Sequence, residues 1–525
     1  MRLGLDPAEP GIRYCAPMRL CDGLRSRVPG CQYDGLAIRQ ARCPTPLEGG
    51  PPGRYLELEV KMTAGASHDP TPQHALRSIH TLPQVGLRGL ARDRGRFFRP
   101  LGQQSPLRGL GERFLIDIPW GPKMVVTSSP EDARAVFADR EGALSFGELM
   151  RRFSPHEKLF GSDAFIFLEG EAHMEEKRKV APPLHGKALK SYEQAMTDIV
   201  LRRLPEWPLG ERVEFCEIGG QLSLDVMMTV IFGVSKPERM QRLERAMLAH
   251  CAVTESPSFL GVGMLSMALR GSWVAVPAVA RTAAAVDAIV LEEIAERRRT
   301  GFRGDDCLTL FLEINQQDRH PRDDAFLARS MRGLMLAGYA ATAVTLGWVA
   351  ELLVHQPETL AVLEESIDRE DDAYLDAVIA ESMRLRPALP ITGRRALRDF
   401  DLNGLHIPRG AYIIIAIMAL HERDDLHPDP TTFRPERFLN SRPGINTWLP
   451  FGGGVYRCVG AEFVLFEARV LLRTLLQHRR LSAVDDGPGG RPSRKHPLPV
   501  PADGAPVVLS THHRAGESMR ENLPT

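Results

Sequence analysis

Apolar residues recur at spacings of three and four over 190–206, 218–233, 237–252, 280–300, 324–355, 358–369 and 373–386, and each stretch predicts a helix that buries one face. A different pattern precedes them. GERFLIDIPWGPKMVVTSS (111–129) alternates and breaks like a hairpin, with Gly121 and Pro122 at the turn. Ser129, Pro130, Glu131 and Asp132 then supply a cap, a first-turn proline and first-turn acids for a helix over 129–141. Strand signals return at 400–417, where Asn403-Gly404 favours a tight turn. The longest apolar run, AYIIIAIMAL (411–420), suits a buried strand and is too short to span a bilayer. There are no internal repeats. The pattern predicts one large, mainly α fold with small β-sheets.

The stretch AFLARSMRGLMLAGYAATAVTLGWVAELLVHQP (325–357) is apolar around nearly its whole circumference, which marks a core helix, since arginines lie in its first turns. Gly333 and Gly338 each cost about 1 kcal/mol in a helix interior relative to alanine. Two readings account for them: a ligand that approaches the backbone closely, or tight packing of a neighbouring helix.

Charge and cysteine content narrow the class. The 525 residues carry 66 Lys+Arg and 66 Asp+Glu, and this balance argues against a nucleic-acid binder. The N-terminus lacks the compact apolar core of a secretory signal. Eight irregularly spaced cysteines do not form a disulfide framework in a chain of this size, which points to reducing cytoplasm. Cys15, Cys21, Cys31 and Cys43 include no C-x-x-C pair of the kind that binds zinc. Pro- and Gly-rich PTPLEGGPPG (44–53) opposes regular structure, so residues 1–61 are expected to be a disordered leader or an over-extended start. The expected division is 1–61, a main domain over 62–511, and a polar tail over 512–525.

Two motifs carry candidate chemistry. In VIAESMRLRP (378–387), Glu381 and Arg384 share a helical face among apolar neighbours, and Arg437 in TTFRPERFLN (431–440) is a candidate third partner. A buried pair needs such further hydrogen bonds to offset desolvation; the alternative is an ordinary surface ion pair. In FGGGVYRCVG (451–460), consecutive glycines precede Cys458 and a helix-like run follows it. Glycines let backbone N–H groups turn toward one sulfur, and a helix start favours its anion. A metal-binding thiolate fits this arrangement, as does a structural cysteine beside a glycine turn.

Taken in order, the long central helix, the Glu381/Arg384 pair, HERDDLHPDPTTFRPERF (421–438) and the cysteine loop resemble the cytochrome P450 family, over about residues 80–510. The resemblance implies a single cytochrome P450-like fold, with haem b between the central helix and the Gly-rich Cys loop. It makes Cys458 the axial iron ligand, with Phe451 near the sulfur, Gly454 allowing the turn and Gly460 letting the next helix approach. Glu381, Arg384 and Arg437 become a buried network bracing that loop. His173 and Lys177 in GEAHMEEKRKVAPPLHG (170–186) and Arg394 in PITGRRAL (390–397) match positions that hold the haem carboxylates.

Two departures stand out. The family usually has Arg or His two residues before the cysteine, and here Tyr456 stands there, with one hydrogen bond to donate and no charge. The central helix usually presents an acid and a threonine to bound dioxygen, and here these positions are Ala340 and Ala341. Thr342 comes one residue late, about 100° around the helix. It and Tyr339 are the candidate catalytic polar groups on this helix.

The activity implied is that of a haem-thiolate monooxygenase inserting one oxygen atom from O2 into an apolar small molecule, by hydroxylation or epoxidation. Electrons would come from a ferredoxin-type donor with its reductase. A monomer without nucleic acid or membrane anchor is expected. The alanine pair keeps open another haem-thiolate reaction, such as peroxide-driven oxygenation, rearrangement or oxidative coupling. A non-catalytic haem-binding protein is the third reading. By family position, residues 145–168, 253–268, 339–344 and 388–392 line the substrate pocket.

Overall fold

Ser129 accepts a hydrogen bond from the Asp132 N–H, Pro130 occupies the first turn, and a helix starts there as its sequence demands. In this computed structural model the described residues are the strands at 13–16, 37–41 and 55–59, then 76–86, 109–117, 121–153, 159–234, 236–254, 276–439, 444–487, 489–493 and 498–511, with isolated positions between 256 and 266. The chain divides into two units, Met1–Ala75 and Leu76–Thr525. In the first, β1 (Arg13–Ala16), β2 (Ala37–Ala41) and β3 (Tyr55–Glu59) form an antiparallel sheet in the order β1-β3-β2. These strands lie in the stretch expected as a leader, whose other residues, PTPLEGGPPG among them, lie outside those described. The 512–525 tail also lies outside them.

The second unit is mainly helical. Its strands are β4 (Arg77–Ser78), β5 (Gln84–Val85), β6 (Arg113–Asp117), β7 (Lys123–Thr127), β8 (Leu144–Ser145), β9 (Arg212–Glu214), β10 (Thr392–Ala396), β11 (Phe400–Leu402), β12 (Leu405–Ile407), β13 (Tyr412–Ile415), β14 (Arg479–Ala483) and β15 (Pro506–Thr511). Its helices are α1 (Pro130–Phe137), α2 (Phe146–Phe153), α3 (Gly170–Val180), α4 (Lys187–Arg203), α5 (Phe215–Val226), α6 (Pro237–Thr254), α7 (Pro277–Thr300), α8 (Cys307–Gln317), α9 (Asp324–Val354), α10 (Pro357–Asp368), α11 (Ala373–Leu385), α12 (Ile417–His421) and α13 (Ala461–His478). Every helix read from periodicity is present, with ends within a few residues of those expected.

The sheet that supports the cysteine loop has the order β5-β6-β7-β13-β10-β8. β6 and β7 form the predicted hairpin, with Leu115 opposite Val125. Central β13 is buried along its length, which explains an unbroken apolar run in place of alternation. One face of this sheet buries Leu115, Val125, Ile413 and Ile415, and the other buries Phe114, Ile116, Val126 and Ile414. β11 and β12 pair across Asn403 and Gly404, both at positive φ (48° and 81°), the geometry that Asn-Gly tolerates.

The helical core surrounds α9, which packs against α5, α7, α11 and α13. Gly333 and Gly338 answer to packing: a Cβ on Gly333 would lie 2.8 Å from the Phe160 ring, and one on Gly338 would lie 3.2 Å from the Met227 sulfur. Met227 belongs to a wide π-helical turn, Met227–Phe232, that extends α5 and ends at Gly233 with φ 51°. Among the described residues, Phe215–Phe232 and α9 are long and apolar enough to cross a membrane, a property the run-length reading of the sequence missed because polar residues interrupt both. Their most apolar windows are 78% and 56% buried inside the protein, the placement of core helices.

Candidate active site

Glu381 and Arg384 lie one turn apart on α11, and their side chains are fully buried. Arg384 Nε and Nη2 donate to the two carboxylate oxygens of Glu381 at 2.7 and 2.8 Å. Its Nη1 donates to the carbonyls of His421 and Pro430 at 2.9 and 2.7 Å. Arg437 Nε donates to Glu381 at 3.0 Å, and its other nitrogens reach Pro428 and Asp429 carbonyls at 2.6 and 2.8 Å. The surface-pair alternative therefore fails. The desolvated charges have the additional hydrogen bonds that such a network requires.

His421 and Trp448 connect this network to the cysteine loop, and sequence reading singled out neither. The Leu449 N–H donates to His421 Nε2 at 2.7 Å, so the ring carries its proton on Nδ1, which donates to the Arg384 carbonyl at 3.0 Å. Burial pushes the His421 pKa down to about 3, keeping the ring neutral. Trp448 Nε1 donates to the Ala380 carbonyl at 3.1 Å, and its ring meets Phe451 edge-on at 5.9 Å.

The loop then closes on itself. The Cys458 N–H donates to the Phe451 carbonyl at 3.0 Å, and the Arg457 N–H to Gly454 at 3.1 Å. Gly454 has φ 67°, and a Cβ there would stand 2.5 Å from the Phe137 carbonyl, so both conformation and space require glycine. Gly453 is tight for a second reason: its Cβ would enter the Phe137 ring. Gly460 has an ordinary φ of −87°, and its N–H is hydrogen-bonded to the Cys458 sulfur. Cys458 alone is exposed among the described cysteines. Burial still raises its thiol pKa, while that N–H and the charges of Arg457 and Lys177 lower it. The sulfur is thus sunk in the fold yet open to contact. Cys307, by contrast, is buried between the Tyr192 hydroxyl and the Pro183 carbonyl, with its thiol pushed up to about 12.

His173 and Lys177, one turn apart on α3, both reach this loop. His173 Nε2 lies 3.2 Å from the Val455 carbonyl, and Lys177 Nζ donates to the Val455 and Arg457 carbonyls at 2.7 Å each. Arg178 and Lys179 face other partners, Glu171 and Asp318. Arg394, on β10, is 3% exposed and lies over the rings of Phe137, Phe146 and Tyr456 at 5.5, 5.1 and 4.9 Å. It donates to the Gly393 and Gly453 carbonyls at 2.7 and 3.3 Å. No described carboxylate pairs with it, and burial lowers its pKa to about 10. Tyr456, whose ring meets His173 at 4.3 Å and a 45° tilt, donates its hydroxyl proton to Glu169, a residue the sequence reading did not single out.

On α9, Ala337 is exposed and residues 338–341 are half-buried, although buried turns flank them. At 100° per residue Ala337, Ala340, Ala341 and Val344 share one side, and Tyr339, Thr342 and Leu346 share the other. Thr342 Oγ1 donates to Glu467 Oε2 of α13 at 3.2 Å. The Tyr339 hydroxyl lies 3.6 Å from where a Gly220 Cβ would be, against α5. Both candidate catalytic groups on this helix thus face α5 and α13, away from the alanine face. Glu467, also missed from sequence, is fully buried, and burial pushes its pKa up to about 8 against the hydrogen bonds of Thr342 and Ser223. Of the expected pocket stretches, most of 253–268 lies outside the described residues.

Haem fits the residues present. The open Cys458 sulfur supplies a thiolate donor, the unpaired buried Arg394 suits an anionic carboxylate, and small alanines leave room on α9. A family model for cytochrome P450 matches residues 118–498. Cytochrome P450 137 of Mycobacterium tuberculosis is 30% identical over 476 residues, 90% of this chain and 93% of that one. Cytochrome P450 138 of Mycobacterium bovis is 31% identical over 406 residues, 77% of this chain and 90% of that one. The solved structure of retinoic acid-bound cyanobacterial CYP120A1 superposes with a TM-score of 0.66 at 22% identity, covering 83% of this chain and all of that one, and so shares the fold. With fold, site and sequence in agreement, the chain belongs to the cytochrome P450 family of haem-thiolate monooxygenases.

Proposed function

We propose that Cys458 is the axial thiolate and that the enzyme inserts one oxygen atom from O2 into an apolar small molecule, by hydroxylation or epoxidation. The observation that carries the assignment is a cysteine, the exposed one among those described, at a loop held by Gly460, Lys177, His173 and His421. Haem bound there supplies dioxygen activation, which a thiolate ligand promotes by donating electron density. The chain's own groups do the rest. Arg394 offers its charge to a haem carboxylate. Lys177 and His173 hold the loop carbonyls that fix the sulfur. The alanine face of α9 keeps polar groups away from an apolar substrate.

Electrons are supplied by a separate ferredoxin-type partner with its reductase, and exposed Arg178 and Arg457 suit an acidic docking surface. The working form is a cytoplasmic monomer. Residues 62–511 carry the activity, with 1–61 and 512–525 dispensable; a chain lacking 1–61 should fold and bind haem as the whole chain does. An optical titration with a panel of apolar compounds tests the reading: a shift of the haem band on addition of one class names the substrate, and no response to any member counts against an apolar ligand.

A second reading, a haem-thiolate reaction of another class, is favoured by one observation. Ala340 and Ala341 offer no acid or hydroxyl, and Thr342 is committed to Glu467. Product under O2 with reductant supports monooxygenation, product under peroxide alone supports the second reading, and product under neither supports a non-catalytic haem protein.

A further inference from the structure

At Tyr456 the chain departs from its family, and the structure shows where the phenol's proton goes. The Tyr456 hydroxyl donates to Glu169 Oε2 and also lies 3.3 Å from the Leu168 carbonyl. The other Glu169 oxygen, Oε1, accepts from the Ser145 hydroxyl. Ser145 in turn caps the next helix, accepting from the Glu148 N–H at 2.8 Å. Three elements therefore meet at one carboxylate: the cysteine loop, the start of α3 that carries His173 and Lys177, and the β8–α2 junction. The phenol ring is packed between His173 at 4.3 Å and Phe146 at 5.4 Å, with the Arg394 guanidinium over it at 4.9 Å.

A phenol has a single proton to donate. Given to Glu169, none remains for a haem carboxylate. Glu169 is half-buried, and its two carboxylate oxygens are taken by Tyr456 and Ser145, so loss of either donor leaves one oxygen to find another partner. Arg394 is differently placed: its hydrogen-bond partners are two backbone carbonyls and it lies over aromatic faces, while Glu169 and Asp139 act on its charge only at longer range, with no direct contact to either among the described residues.

We propose that Tyr456 is a positioning residue, latching the cysteine loop to the start of α3 through Glu169, and that it takes no part in the haem carboxylate binding that family resemblance already gives to Arg394. This rests on the haem-thiolate reading for its second half only, since the latch is a feature of the chain itself.

The test uses the full chain in haem-free and haem-loaded forms. In the haem-free protein, Tyr456→Phe and Glu169→Ala should both lower the unfolding midpoint, Glu169→Ala the more because it also strands Ser145, and the double variant should be no worse than Glu169→Ala alone, the signature of a shared interaction. Glu169→Gln, which keeps a carbonyl acceptor, should recover part of the loss. In the loaded protein, haem transfer to excess apomyoglobin should speed up about tenfold or more for Arg394→Ala, as expected when a charged hydrogen bond is lost. Tyr456→Phe should leave that transfer rate near the parent's, while its thiolate absorption signature is lost at lower urea. Additive losses in the haem-free cycle would overturn the latch. Haem loss from Tyr456→Phe as fast as from Arg394→Ala would overturn the division of roles. A parent chain that takes up no haem would sink the haem-thiolate reading, and the haem-free cycle would still decide the latch.

Discussion

The two walls of the site are built on opposite principles. Behind the cysteine loop, Glu381, Arg384, Arg437 and His421 are buried, polar and joined by hydrogen bonds to one another and to backbone carbonyls. Across from it, the α9 face carries Ala337, Ala340 and Ala341, and its polar neighbours Tyr339 and Thr342 point the other way. The contrast separates two demands on a haem protein. Holding a sulfur in place needs directional bonds, each costly to lose. Admitting an apolar substrate needs smooth space, and hydrogen-bonding groups there must be few.

Variants that break the first wall should have the largest effects. Glu381→Ala leaves the Arg384 charge buried and unpaired, with a cost of about 3–5 kcal/mol, a large part of a typical stability. Urea unfolding and haem content should both show little folded, loaded protein.

His421→Phe comes next, since it strips a partner from the Leu449 N–H and from the Arg384 carbonyl, costing about 2–4 kcal/mol in urea unfolding. The same residue sets an acid limit. With a folded pKa of about 3 against the usual 6.5, the unfolded chain binds the proton first as pH falls. Stability should therefore drop from about pH 6.5 toward pH 3, and His421→Gln, which can donate and accept, should lessen that drop.

Glu467 lies on the far side of α9, against Thr342. Its folded pKa of about 8 lies above the usual 4.5, so between these values the folded state holds a proton that the unfolded state has released. Stability should fall as pH rises through this window, by at most a few kcal/mol at about 1.4 kcal/mol per unit. Glu467→Gln should flatten that fall in a pH series of unfolding curves.

The smallest effect belongs to Thr342→Val, about 1 kcal/mol for one hydrogen bond, with the coupling of reductant to product unchanged. Ala341→Thr, on the substrate side, should improve coupling where Thr342→Val does nothing. A loss of coupling in Thr342→Val would return that hydroxyl to the catalytic side.

Much of this was legible in the chain. Long periodic helices such as α7 and α9 announce themselves because burial of one face fixes the spacing of apolar residues. Asn403-Gly404 announces its turn because few other pairs accept two positive φ angles. The Glu381–Arg384 spacing and the glycines before Cys458 were readable for the same local reason. What escaped depends on distant partners. Glu169 and Tyr456 lie 287 positions apart, and no local pattern marks a glutamate as the acceptor of a particular phenol. His421 sits in charged HERDD and looks like a surface histidine until the fold tucks it under Leu449. Glu467 reads as one more polar position on α13, and only the packing of α9 against that helix reveals it as buried. The direction of Tyr339 was likewise set by a neighbour: Gly220 leaves room for its hydroxyl against α5.

The most direct test of the account is the absorption spectrum of the reduced, carbon monoxide-bound protein, compared between the parent chain and Cys458→Ser. The account predicts a thiolate-type band in the parent and its loss in the variant, together with loss of reductant-driven oxygenation. An unchanged band and unchanged activity in Cys458→Ser would contradict the assignment of Cys458 as the iron ligand.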